Sequence, residues 1–226
     1  NREKIMNVEK ALLSRKSTRA FLDKEVPVEI INNILEQAKT APSGVNTQPW
    51  QVAVITGESK KNIEKKMEDT FRSGNKGSMD YQYYPKEWEE KYKQRRKDCG
   101  LLMYSTLEIQ REDKQRQLDQ WASNYRAFDA PVMLLFFIDK VMEKGSYLDY
   151  GMFLQSIMLA AVAEGLATCP QAALAEYPEI VKSELGYSDG QVLVCGMSLG
   201  YEDKSHKVNS YRTTREPLEE LVKYFS

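Results

Sequence analysis

The sequence predicts an α+β domain, on three observations. Two runs, PVMLLFFID (residues 131–139) and QVLVCGMSL (residues 191–199), are apolar on both faces, the pattern of central strands. Apolar residues recur at helical spacing through residues 30–38, 59–72 and 147–165. Strands and helices do not alternate in a regular βαβ order, so helices layered on a sheet suit the chain better than a doubly wound parallel sheet.

Each element follows from local signals. Residues 8–14 form a short amphipathic helix leading into the basic cluster RKSTR. Pro27 opens a second helix that carries Ile30, Ile31, Ile34, Leu35 and Ala38 and stops before Pro42. Residues 51–56 read as a strand ended by Gly57, and residues 59–72 as a helix with Ile63, Met67 and Phe71 on one face. A glycine-containing loop spans residues 73–78. Residues 81–126 mix Tyr81, Tyr83, Tyr84, Trp88, Tyr92, Tyr104, Trp121 and Tyr125 with many charges. That segment reads as two or three helical pieces outside the central core. After the strand at 131–139, residues 147–165 form a helix apolar nearly all round, which belongs inside the protein or inside a dimer. The polar tail from residue 201 returns to a short helix after Pro217.

Composition excludes several classes of function. At 226 residues the chain fits one domain with a full core. Its 32 basic and 33 acidic residues leave a net charge of −1, so neither a nucleic-acid footprint nor a membrane-surface patch is expected. No apolar run reaches the ~20 residues that span a bilayer, and the charged N-terminus has no signal-peptide core. Cys99, Cys169 and Cys195 are odd in number and lack CxxC spacing, which argues against a disulfide framework or zinc site and for a reducing cytoplasm. His206 is the only histidine, with Lys204 and Lys207 beside it in a surface tail, so no His-rich metal site is available and none is expected.

Two clusters carry the chemistry. RKSTR (residues 15–19) packs two arginines, a lysine and two hydroxyls into five residues, a composition matched to phosphoryl oxygens. APSGVNTQPW (residues 41–50) is a turn in which Pro42, Gly44 and Pro49 prevent regular structure, while Ser43, Asn46, Thr47 and Gln48 offer neutral donors and acceptors. Such a loop suits a flat heteroaromatic ligand better than a metal. A phosphate grip with a neutral ring-binding loop implies a phosphorylated aromatic cofactor. The plainer readings are a solvated basic turn and a capped helix end, with Trp50 as a packing anchor.

These motifs, with the strand at 131–139, MFLQSIMLAAVAEGL (residues 152–166), CPQAAL (residues 169–174), SLGY (residues 198–201) and YRTTREPLEE (residues 211–220), resemble the FMN-dependent nitroreductase family. The resemblance is to its nitrobenzoate-reductase-like branch, with iodotyrosine-deiodinase-like flavoproteins nearby. It implies a mixed sheet flanked by helices, in an intertwined homodimer whose tail, about 201–226, embraces the partner. It further implies that Arg15, Ser17 and Arg19 hold the FMN phosphate and ribityl chain, that Lys16 lies at the flavin pyrimidine edge, and that Arg215 is a further phosphate ligand. Arg212 is a weaker candidate. Ser43 and Asn46, in a loop with Pro42, Gly44 and Gln48, would meet the flavin of the other subunit. The stretch Pro170, Gln171, Ala172 and Ala173 has no charged side chain, and there the family uses a main-chain N–H near flavin N5, supplied here by Ala172 or Ala173. Where other members have Glu-Gly, this chain has Ala-Ala, which retains the backbone role without a carboxylate. Asn124 and Arg126 are candidates for the flavin or substrate, and Tyr92 for the substrate.

The activity implied is NAD(P)H-dependent ping-pong reduction of nitroaromatics, quinones or similar electron-poor aromatics, with NADH or NADPH as donor. One phosphate cluster and no GxGxxG after a strand point to FMN rather than FAD. The alternatives are reductive dehalogenation of a halotyrosine-like substrate and a flavin-binding or sensor protein with little turnover. The aromatic, charged segment at about 78–125 reads as a helical lid that selects the second substrate.

Overall fold

The computed structural model describes residues 6–226, and the start of the charged N-terminal stretch, residues 1–5, lies outside them. Strand β2 (Val132–Asp139) has seven consecutive buried residues and runs through the middle of the sheet. Its neighbours are β1 (Gln51–Ile55) and β4 (Gln191–Gly200), and β3 (Ala167–Gln171) lies beyond β4 at the far edge, giving the order β1-β2-β4-β3. All three pairings are antiparallel. The mixed sheet implied by the family resemblance is thus antiparallel throughout its named strands. One isolated parallel bridge, Ser17 to Thr168, lays the RKSTR segment along the β3 edge.

Alternation along β2 makes two cores. Leu134, Phe136 and Ile138 face helices α2 (Val28–Ala38) and α6 (Lys144–Ala163), meeting Ile31, Ile34, Phe153 and Ile157. Met133, Leu135 and Phe137 face the other way, onto Ile63 and Met67 of α3 (Gly57–Arg72) and Val181 of α7 (Pro178–Leu185). Each such side chain contributes roughly 1.5–3 kcal/mol by leaving water. The short helix α1 (Val8–Ser14) is capped by Asn7, whose side chain accepts the Glu9 N–H at 2.8 Å, and it packs on α6. Gly186 closes α7 in a left-handed conformation, φ 75°, where a Cβ would be unfavourable.

The aromatic and charged segment holds α4 (Glu90–Thr106) and α5 (Lys114–Ala122), and α4 adds no buried residue to the core. Its ends are built in rather than free. Tyr81 donates its hydroxyl to the Val194 carbonyl at 2.7 Å and packs on Tyr147, while Tyr125 is fully buried. Asp80 accepts the Leu193 N–H and pairs with Lys182, and the Tyr177 hydroxyl donates to the Asn75 carbonyl. Any lid motion therefore belongs to the stretch between these anchors. The tail forms a short helix α8 (Leu218–Leu221). Among the described residues no helix is long and apolar enough to cross a membrane.

Candidate functional site

The RKSTR segment leaves α1 in extended conformation and is pinned to the sheet edge, with the Thr18 N–H donating to the Thr168 carbonyl at 3.0 Å. The C-terminal tail crosses it. Arg212 donates to the Ser14 carbonyl at 2.6 Å, and the Arg19 guanidinium donates to the Tyr211 hydroxyl at 3.2 Å. Together they enclose a cavity of about 180 Å³. Arg15, Lys16, Ser17 and Arg19 line it from one segment, Tyr211, Arg212, Thr213 and Arg215 from the tail, and Cys99 from α4.

Four guanidiniums and no carboxylate line this cavity. Among the described residues none of the four arginines pairs with an acidic side chain, whereas Lys16 is held by Glu202 at 2.6 Å and by the Asn209 carbonyl. Burial, then the Arg215 and Arg212 charges, lower the Arg15 pKa from its ordinary value, the mark of cations gathered without a counter-charge. Arg215 hydrogen-bonds only to its own loop, at Thr213 and Thr214. The chemistry of such an arrangement matches that of a multiply charged oxyanion. Behind it Cys169 is buried, and burial pushes its thiol up despite the opposing pull of Arg19. It is a packing residue here, as is buried Cys195.

A second surface is the loop after α2. Helix α2 ends at Ala38 with Lys39 as its C-cap, and beyond Pro42 comes a 3-10 turn over Gly44–Asn46. Val45, Asn46 and Gln48 all have left-handed backbones, with φ of 46°, 59° and 49°. Left-handed β-branched residues are rare, and Val45 is 98% exposed, so water-driven burial does not account for the strain. What holds the loop is polar: the Gly44 N–H donates to the buried Asp149 carboxylate at 3.0 Å, and the Gln48 N–H to the Ser43 hydroxyl at 2.9 Å. Trp50 stacks on Phe153, with centroids 4.7 Å apart, and so serves as the anchor of the loop.

The third surface is the end of β3. Pro170 is exposed, and Ala172 and Ala173 are half-buried at the start of a 3-10 turn. Neither alanine N–H is taken up by a turn or cap hydrogen bond among the described residues. Buried Gln171 donates to the Asn124 carbonyl at 3.0 Å and accepts from the Ser198 hydroxyl, which fixes the turn.

The nitroreductase family model matches residues 12–201 of this chain. The chain belongs to the nitroreductase family. It is 38% identical to a 4-nitrobenzoate reductase of Pseudomonas putida, over 90% of this chain and 88% of that one. A chloronitrobenzene nitroreductase of Comamonas testosteroni is 36% identical over 96% of each. Among solved structures, the FMN and NADPH-dependent nitroreductase NfnB of Sphigopyxis sp. strain HMH superposes with a TM-score of 0.95 at 36% identity, covering 98% of this chain and all of that one.

Within this family member the structure brings Arg15, Lys16, Ser17, Arg19 and Arg215 into one cavity, with Arg212 as a full lining member. Asn124 joins Gln171 beside Ala172. Arg126 does not reach this group: its Nη1 donates to both carboxylate oxygens of Glu68 at 2.9 Å and its Nε to Asp129 at 2.8 Å. There it braces the left-handed turn at Ala127, Phe128 and Asp129 that leads into β2. Tyr92 lies exposed on the first turn of α4 under the cations of Lys91 and Arg95. The loop residues Pro42, Ser43, Gly44, Asn46 and Gln48 do not line the arginine cavity of their own chain. Sequence reading missed Asn209 and Asp149, whose roles come from contacts across the fold and leave no local motif, and it gave Tyr211, the first residue of the tail motif, no role of its own.

Proposed function

We propose that this chain is an FMN-dependent NAD(P)H oxidoreductase that works as a homodimer and reduces nitroaromatics, quinones or related electron-poor aromatics. The carrying observation is the cavity of four arginines without a carboxylate, on a segment that bridges to the β3 edge at Thr168. The donor set fits FMN: guanidinium forks with Ser17, Tyr211 and Thr213 hydroxyls suit one phosphate and a polyol chain, and Arg15, Arg19, Arg212 and Arg215 supply the charge. When bound, FMN supplies the redox chemistry, accepting hydride from NADH or NADPH and passing electrons to the aromatic acceptor.

The protein's own part is binding, orientation and electrostatics. Lys16, which lines the arginine cavity and pairs with Glu202, would be the cation that biases the charge of a ring edge. The Ala172 and Ala173 N–H groups offer a donor at a ring nitrogen that does not titrate, and Pro170, Gln171 and Asn124 shape that edge. Pro42, Ser43, Gly44, Asn46 and Gln48 meet the ring bound to the partner subunit. With FMN bound, donor and acceptor would be oxidised and reduced in turn at one site, a ping-pong order. The stretch carrying α4 and α5, with Tyr84, Trp88 and Tyr92 on its surface, selects the acceptor. The tail crosses to the partner, which accounts for Tyr224 and Phe225 at 87% and 91% exposure in the single chain. Three free cysteines support a cytoplasmic setting.

The test is spectroscopic. The purified protein is expected to be yellow, to release FMN on heat denaturation, to bleach with NADH or NADPH under argon, and to recolour with a nitroarene. Release of FAD, or a yellow protein inert to both donors, would refute the proposal.

A further inference from the structure

Asn209 stands where the two halves of the arginine cavity meet, and it is 4% exposed. Its side-chain oxygen accepts the backbone N–H of Arg19 at 2.8 Å. Its amide nitrogen donates to the carbonyls of Ala20 and Asp203, both at 2.8 Å. Its own carbonyl accepts from the Lys16 ammonium. Both amide protons and the oxygen are thus used, and the surrounding carbonyls and N–H fix which way the amide faces. Two further backbone bonds run alongside, Leu22 N–H to the Tyr201 carbonyl and Asp203 N–H to the Ala20 carbonyl. These keep the strands of chain near each other without setting the position of Arg19.

We infer that Asn209 is the positioning residue of the phosphate grip, holding Arg19 and Lys16 in register with the tail arginines, an inference that rests on the FMN reading above. The physical reason is repulsion. Arg15, Arg19, Arg212 and Arg215 crowd one cavity with no acidic side chain, so the apoprotein tends to spread them. A neutral amide tethers the two segments without cancelling the charge that the phosphate needs, which a carboxylate at this place would do. Asn209 does not line the cavity itself. It acts through the Arg19 backbone and the Lys16 side chain.

The test compares FMN with riboflavin, which has the same ring and ribityl chain but no phosphate. Apoprotein of Asn209→Ala is titrated with each by flavin fluorescence. FMN affinity is expected to fall roughly tenfold, the scale of one displaced charge-assisted contact, while riboflavin affinity changes little. Asn209→Asp keeps the acceptor for Arg19 but loses both donors and adds a negative charge, and it is expected to lower the FMN to riboflavin ratio further. Equal losses for both ligands, or no loss for either, would overturn the inference. Protein that fails to bind riboflavin in both Asn209→Ala and Asn209→Ser would also overturn it, by making Asn209 a folding residue. Arg19→Ala is the control. If it changes the ratio and Asn209→Ala does not, the positioning role fails alone. If neither changes it, the phosphate reading of the cavity fails, and the role of Asn209 with it.

Discussion

Replacing Arg215 by alanine separates ligand binding from folding. In the structure its guanidinium bonds only to Thr213 and Thr214 on the same loop, at 2.8–3.2 Å, and the side chain is exposed. Removal strands no buried charge, so stability is expected to change by no more than about 0.5 kcal/mol. With a phosphate in the cavity the same side chain makes charge-assisted hydrogen bonds worth roughly 1.5–3 kcal/mol each, so FMN affinity is expected to fall about ten- to hundred-fold. Arg19→Ala is expected to behave alike, since Arg19 also lacks an acidic partner and bonds only to the Tyr211 hydroxyl and, at 3.4 Å, the Ser17 carbonyl. The assay is fluorescence titration of the two apoproteins with FMN, paired with turnover at saturating FMN. Loss of affinity with turnover largely retained supports the assignment. Unchanged FMN affinity in both variants would show that the phosphate lies elsewhere.

Three further outcomes follow from particular contacts. Burial pushes the Glu64 carboxyl from the ordinary 4.5 up to about 7, against the attraction of Lys60. The folded state therefore holds a proton that the unfolded state has released, and stability should fall, by up to about 3 kcal/mol, as pH rises from 4.5 to 7. Glu64→Gln should flatten that slope in thermal melts, and an unaltered slope would assign the dependence to other groups. A Cβ added at Gly77 would lie 2.3 Å from the Glu176 carbonyl oxygen, so Gly77→Ala should destabilise by roughly 1–3 kcal/mol, and an unchanged melting temperature would show that this segment is not fixed. Asp149→Ala removes the acceptor of the Gly44 N–H and should weaken flavin binding about tenfold, whereas Asp149→Asn keeps an acceptor and should restore most of it; equal losses in both would sink the positioning role of that contact.

The central strands were legible because β2 and β4 are covered on both faces, which forces unbroken apolar runs. Strand β3 was not, since it is short, lies at an edge and contains Pro170, which an edge tolerates and a propensity reading rejects. Helix α7 carried readable signals, Pro178 at its start and Gly186 at its end, that went unused. The sequence also displays both halves of the arginine cavity. It does not display their junction, because the Arg19 to Asn209 contact spans 190 positions and uses a single neutral side chain. Arg126 illustrates the converse: a basic residue just before the central strand reads as a ligand, and only the fold reveals Glu68 on α3 as its partner.

In a single copy of this fold the arginine cavity and the loop over residues 42–48 do not share a lining. The loop is nevertheless kept in a strained, exposed shape by Asp149 and Ser43, with Val45 almost fully in water. Strain of that kind persists where surrounding contacts over-determine it, and it clusters at functional sites. The same chain leaves Val8 and Leu13 of α1, Leu148 and Met152 of α6, and Leu218 and Leu221 of α8 exposed. Burying such area against a second copy contributes about 25 cal/mol per Å². In the homodimer proposed above, a partner covering these faces would also present its 43–48 loop to a ring bound by this chain. The dimer interface and the flavin site would then be one structure, with the apolar energy of association keeping each loop over the neighbouring cofactor.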